Sequence, residues 1–176
     1  LNMGTLLPIY RETLPRTAAA AFKSGKPWVL DPVGIGIGQL RTDLLQELKQ
    51  YKPAIVRGNA SEIIALASLW DIEANACESS RPRGVDTTDT VEAARDAAVA
   101  LARYTGGAVA VSGKKDLVTD GEKVVYSEGG SELMEKVTGF GCSQGGVLAV
   151  YTTATNPFTA ALAAVAHYNV AGSRAA

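Results

Sequence analysis

Trp28-Val29-Leu30-Asp31-Pro32-Val33-Gly34-Ile35-Gly36-Ile37-Gly38 is the stretch from which the fold of this chain is read. A short apolar run that ends on a carboxylate, a proline and spaced glycines reads as a buried strand feeding a functional turn at its carboxyl end. Downstream, Leu40 to Tyr51 carries Leu44, Leu45 and Leu48 at helical spacing, with Lys49 in the last turn where it complements the helix dipole. Ala54-Ile55-Val56 is a second short strand, and Ser61 to Leu69 a further helix. The polar stretch Asp71 to Arg83 reads as a surface loop or insertion. Asp89 with Glu92 resembles a capping box that opens a helix through about Arg103, and Ala108 to Val111 is another buried strand.

The alternation then changes. Leu117-Val118-Thr119, the turn residues Asp120-Gly121, and Lys123 to Tyr126 spell a β-hairpin. Gly139 to Gly141 precede a helix from about Cys142, and Asn156-Pro157 is a cap plus first-turn proline for a last helix. The order predicts an α/β fold with a largely parallel sheet and antiparallel strands toward one edge. The 176 residues fit a single domain, since compact domains run ~100–200 residues.

Composition narrows the function. Hydrophobic residues make up 47% and charged ones 20%, the balance of a folded protein with a real core. A net charge of −1 with scattered Lys and Arg gives no basic stripe, which argues against nucleic acid as a partner. Leu1 to Tyr10 lacks the basic start and apolar run of a signal peptide, and no segment approaches the ~18 apolar residues of a spanning helix, so a cytoplasmic place with no membrane contact is expected. Cys77 and Cys142 are then expected to be reduced, and Cys77 has no visible role. His167, the single histidine, excludes sites built on several His ligands and most Ser-His-Asp triads. It lies in an alanine-rich helix and reads as structural or partly exposed.

In open α/β sheets ligands collect at the carboxyl ends of the strands. The loop from Asp31 to Gly38 is one such place, although Gln39 and Arg41 break the dinucleotide pattern G-x-G-x-x-G and its glycines could serve only a tight turn. Arg57-Gly58-Asn59-Ala60-Ser61-Glu62 is another: a guanidinium suits phosphate oxygens and a carboxylate suits Mg²⁺, while the plainer reading is a surface ion pair plus a helix cap. Asn59-Ala60-Ser61 is formally a glycosylation sequon, of little weight without a secretory signal. Ser112-Gly113-Lys114-Lys115 fails as a Walker A ending because Ala108 stands where its first glycine belongs; Ser112 either touches a nucleotide or caps a turn. Gly139-Phe140-Gly141-Cys142-Ser143 runs into a helix start, where free N–H groups make an anion site and the local field favours a thiolate. A lone cysteine at a helix start is more often small buried filling.

In this order the blocks resemble the hydroxyethylthiazole kinase family, from Leu1 to at least Ser173. The resemblance rests on Leu1-Asn2-Met3-Gly4-Thr5-Leu6, Trp28 through Gly34, and Lys52-Pro53-Ala54-Ile55-Val56-Arg57-Gly58-Asn59-Ala60-Ser61-Glu62-Ile63. Gly84-Val85-Asp86, Val118-Thr119-Asp120-Gly121, and Met134 through Cys142 extend it. The Arg-Gly-Asn-Ala-Ser-Glu block is highly specific, and the cysteine is diagnostic, since most ribokinase-like relatives are known for Asp there. Phe140 departs from the Thr usual between the two glycines.

The resemblance implies a ribokinase-like three-layer α/β/α fold and transfer of the γ-phosphoryl group of ATP to the hydroxyl of a small thiazole. Asp31 and Glu62 would organise Mg²⁺, Arg57 and Ser112 would contact ATP, and Gly139 would lie against the thiazole alcohol. Cys142 would be the catalytic residue, with Gly139, Phe140, Gly141 and Cys142 as the anion hole. It further implies a homotrimer, and a domain that lacks the family's N-terminal and C-terminal segments. Two other readings stay open: another ribokinase-like enzyme, such as a hydroxymethylpyrimidine kinase or an ATP-dependent hydrate dehydratase, and a non-catalytic nucleotide-binding remnant.

Overall fold

Five strands form one mixed sheet in the computed structural model, which describes residues 1–72 and 91–176. β1 (Val29–Leu30), β2 (Ile55–Asn59) and β3 (Ala108–Ser112) run parallel; β4 (Asp116–Thr119) and β5 (Val124–Ser127) are antiparallel additions at the β3 edge. Spatial order equals chain order. Around the sheet lie α1 (Tyr10–Lys23), α2 (Gln39–Leu48), α3 (Ala60–Leu69), α4 (Arg95–Thr105), α5 (Phe140–Tyr151) and α6 (Pro157–Ala175).

Strands β1 to β4 bury both faces, so apolar residues occupy both phases of the period-two alternation. Leu30, Val56, Val109, Val111 and Leu117 point to a core shared with Leu44, Leu45 and Leu48 of α2, Ile63 and Leu66 of α3, and Leu101 of α4. Val29, Ile55, Ala108, Ala110 and Val118 point the other way, onto Leu148 of α5 and Ala160, Ala161, Ala164 and Val165 of α6. That second layer is small against small, alanines of β3 facing alanines of α6. Trp70, wholly buried behind α3, donates its indole N–H to the Leu45 carbonyl at 2.9 Å, which satisfies its polar end inside the core.

Several expectations change in detail. The helix read from Asp89 begins only at Arg95: Val91 to Ala94 form a turn closed by bonds three residues apart, and Glu92 accepts a hydrogen bond from the Tyr126 hydroxyl at 2.5 Å. Asp89, Cys77, Gly84-Val85-Asp86 and the polar stretch beyond Ile72 lie outside the described residues. α1 has no counterpart in the sequence reading, because Pro15 interrupts its periodicity. Among the described residues no helix is long and apolar enough to cross a membrane.

Candidate active site

Parallel pairing brings the ends of three strands level. Asn59 of β2 stands opposite Ser112 of β3, and Asp31 follows directly on β1. From Asp31 the chain turns through Gly34, Gly36 and Gly38, whose φ angles of 69°, 87° and 81° lie in the left-handed region that side chains disfavour. The loop's glycines are therefore needed for its path. Arg41 ties the loop to the first residues of the chain, donating to the carbonyls of Met3 (3.1 Å), Gly4 (3.2 Å) and Ile37.

Arg57 is the hub. It is 8% exposed, and its partners come from three elements. Nε donates to Gln144 Oε1 of α5 at 3.1 Å, one terminal nitrogen donates to Ser112 Oγ at 2.9 Å, and the other lies 3.5 Å from Asp31 Oδ2. Ser112 in turn donates to the Gly58 carbonyl at 3.3 Å. A surface ion pair between Arg57 and Glu62, the plainer expectation, is not what forms: Arg57 is buried and pairs with Asp31. Glu62 does take the expected capping role. Its carboxylate accepts from the Asn59 N–H at 2.9 Å, the Asn59 side chain accepts from the Glu62 N–H at 2.9 Å, and Glu62 Oε1 accepts from Gly34 N–H at 3.3 Å. One carboxylate thus joins the glycine loop to the start of α3.

Asp31 is 2% exposed. Oδ2 accepts from the Asn2 amide at 2.9 Å, and Oδ1 has no partner among the described residues. Burial pushes its carboxyl up to about 6, against the lowering pull of Arg57 and with a further upward push from Glu62. A second buried carboxylate, Asp116, starts β4. It accepts from Gly113 N–H at 2.9 Å and from the Asn169 amide of α6 at 2.8 Å, and burial likewise raises its carboxyl. This pair fixes the turn that follows Ser112.

The first turn of α5 closes over Arg57. Gly139 caps it with φ 81°, and the Phe140 N–H is already taken by the Val137 carbonyl at 3.1 Å. Of the four residues expected to form an anion hole, only Phe140 donates to the backbone in this way; the N–H groups of Gly141 and Cys142 have no acceptor among the described residues. The Phe140 ring packs on Tyr168 of α6, centroids 4.8 Å apart, and the Tyr168 hydroxyl donates to the Phe140 carbonyl at 2.5 Å. Cys142, two residues after Phe140, is a half-buried free thiol.

Sequence reasoning missed Gln144, Asn2 and Gly145, and read Gly141 only as part of the anion hole. A Cβ on Gly141 would meet Arg57 at 2.8 Å, and one on Gly145 would lie 3.7 Å from Asp31 Oδ2. The signal was present as Gly141, Gln144, Gly145 and Leu148, one face of a helix at 3.6-residue spacing.

The architecture is that of ribokinase-like kinases. A Staphylococcus aureus pyridoxal kinase solved with AMP-PCP superposes with a TM-score of 0.63 at 19% identity, over 93% of this chain and 59% of that one. The chain belongs to the hydroxyethylthiazole kinase family, which it matches over residues 1–176. It is 49% identical to the hydroxyethylthiazole kinase of Bifidobacterium longum (strain DJO10A), over 98% of this chain and 60% of that protein. The solved hydroxyethylthiazole kinase protein of Pyrococcus horikoshii OT3 matches with a TM-score of 0.76 at 30% identity, over 93% of this chain and 57% of that one. The chain thus spans about three fifths of the length of such relatives.

Proposed function

We propose that the protein transfers the γ-phosphoryl group of ATP to the hydroxyl of 4-methyl-5-(2-hydroxyethyl)thiazole, a step of thiamine biosynthesis and salvage. The observation that carries this reading is the buried Arg57–Asp31 pair lying under an α5 first turn with two free amides. A guanidinium, a carboxylate and a helix start then converge at the carboxyl ends of parallel strands, where phosphates bind in such folds. Family membership supports the acceptor.

In this reading Arg57 and Ser112 contact ATP, and Gly139 lies against the thiazole alcohol. The amides of Gly141 and Cys142 take up charge on the transferred group. Cys142 accepts the proton of the attacking hydroxyl as its oxygen bonds to the γ-phosphorus and the bond to the departing ADP breaks. Most of the rate comes from placing the two substrates in line and neutralising charge.

The residues present fit Mg²⁺. No group of three or more His, Cys, Asp or Glu able to cage a metal occurs among the described residues, but Mg²⁺ is commonly held by one or two carboxylates together with substrate phosphates. Asp31, with its unpartnered Oδ1, and Glu62, whose carboxylate accepts only N–H groups, are the two that would hold it. Bound there, it would offset the charge of the triphosphate. The family resemblance also supports a homotrimer working in the cytoplasm.

The test is product mass spectrometry of the intact protein with Mg-ATP and a panel of hydroxyethylthiazole, hydroxymethylpyrimidine and pyridoxal. Thiazole phosphate as the dominant product is the expected result. A phosphorylated pyrimidine or pyridoxal instead would reassign the acceptor, and ATP binding without any product would favour a non-catalytic nucleotide binder.

A further inference from the structure

Gln144 is a long polar side chain in the inner face of α5, 4% exposed, in a position that helix packing would ordinarily give to an apolar residue. Its neighbours on that face explain what it does. Gly141, three residues before it, brings the α5 backbone against the Arg57 guanidinium. Gly145, the next residue, lies over Asp31, its Cβ position 3.7 Å from Asp31 Oδ2. Leu148, one turn on, is wholly buried. Between two glycines, Gln144 is the side chain of this face that reaches the Arg57–Asp31 pair.

The orientation of its amide is settled by chemistry. Arginine Nε carries a hydrogen and accepts nothing, so the atom 3.1 Å from it is the Gln144 carbonyl oxygen. That contact fixes one edge of a planar group. Ser112 takes a hydrogen from one terminal nitrogen at 2.9 Å, and Asp31 stands 3.5 Å from the other. A guanidinium has five N–H donors. With Nε–H given to Gln144, one hydrogen to Ser112 and one turned toward Asp31, each terminal nitrogen keeps one N–H without an acceptor among the described residues.

We propose that Gln144 is a positioning residue for the nucleotide: its carbonyl oxygen locks the plane of the Arg57 guanidinium, so that the remaining terminal N–H pair is held ready for phosphate oxygens. The inference rests on the reading of Arg57 as an ATP contact. It goes further by assigning to α5, the helix that also carries the thiol, the task of orienting an arginine on β2. A bidentate arginine contact depends on the plane of the fork as much as on its charge, which is why a neutral acceptor at the Nε edge matters.

The experiment compares wild type, Gln144→Met, Arg57→Lys and the double variant in the intact protein. Methionine keeps the volume and removes the acceptor. Gln144→Met is expected to raise KM for ATP about tenfold, the worth of one buried hydrogen bond to a charged group. The KM for the alcohol should stay within about twofold on the same grounds. In the Arg57→Lys background, where no Nε edge remains, the same change should have little further effect. Hydrogen exchange at Arg57 Nε–H, followed by NMR, is expected to be slow in wild type and fast in Gln144→Met.

An unchanged KM for ATP, or a loss that simply adds to that of Arg57→Lys, would overturn the proposal and leave Gln144 a packing residue. Fast exchange at Nε–H already in wild type would overturn it as well. If exchange behaves as expected but wild type binds no ATP, the assignment of Arg57 to the nucleotide has failed, and with it the nucleotide role of Gln144, while the hydrogen bond stands.

Discussion

Arg57 reaches to 3.5 Å of Asp31 Oδ2 while Asp31 Oδ1, on the same buried carboxylate, meets no partner among the described residues. Both side chains are withdrawn from solvent, so removal of either strands the other. Arg57→Leu is expected to destabilise the protein by roughly 3–5 kcal/mol, the cost of leaving one member of a buried pair uncompensated. Arg57→Lys keeps the charge and loses the fork, so it should fold with a smaller loss and still bind ATP poorly. Denaturant unfolding and nucleotide titration of the two variants separate these effects.

The Asp31 carboxyl, pushed up to about 6 from an ordinary value of 3.8, ties stability to pH. The folded state binds its proton more tightly than the unfolded chain does. The stability this contributes is therefore present below pH ~4 and is lost as pH rises through about 6, with a span on the order of 3 kcal/mol. Asp31→Asn carries no such dependence. Relative to wild type its unfolding free energy should improve by that amount between pH 4 and 7, measured by denaturant melts at each pH. A constant difference would mean that Asp31 titrates normally.

Gly141 and Gly146 offer a paired comparison in one helix. An alanine Cβ at 141 would sit 2.8 Å from a guanidinium nitrogen that is itself held by Ser112, whereas at 146 nothing lies within 4 Å. Gly141→Ala should cost roughly 1–3 kcal/mol through overpacking and weaken ATP binding. Gly146→Ala should be stabilising by roughly 0.5–1 kcal/mol, the usual gain from replacing a helix-interior glycine. Thermal melts of both variants decide it.

Asn169 donates to Asp116 at 2.8 Å in the interior between α6 and β4. Asn169→Leu should destabilise by roughly 1–3 kcal/mol by leaving that carboxylate short of a donor. Burial already raises the Asp116 carboxyl and the Asn169 bond lowers it, so losing the bond raises it further. The penalty should accordingly shrink as pH falls and protonation of Asp116 is favoured. Unfolding melts at pH 5 and pH 7 give the sign.

Much of this architecture was legible in the chain. The apolar runs around Val29, Ile55 and Val109 marked the parallel strands, and Asn156-Pro157 marked α6, because burial on two faces and capping are local signals. α1 was not legible, since Pro15 sits inside it and its stability comes from packing on the α2 side of the sheet. Asp31, Arg57 and Ser112 could be picked out as strand-end residues. That Arg57 pairs with Asp31 and not with Glu62 could not, because the choice is made by sheet register and by α5 arriving from more than eighty residues away. Gln144 was hidden for the same reason: its significance depends on which helix face lands on Arg57.

In the proposed reaction Cys142 is the proton acceptor as the phosphoryl group passes to the alcohol. The most direct measurement is single-turnover transfer from γ-labelled ATP to hydroxyethylthiazole by wild type and Cys142→Ala, with ATP affinity measured in parallel. The expected result is a chemical step slowed by ~10²–10⁴, the usual worth of a positioned acid–base group, with unchanged ATP affinity. Transfer at the wild-type rate by Cys142→Ala would contradict it.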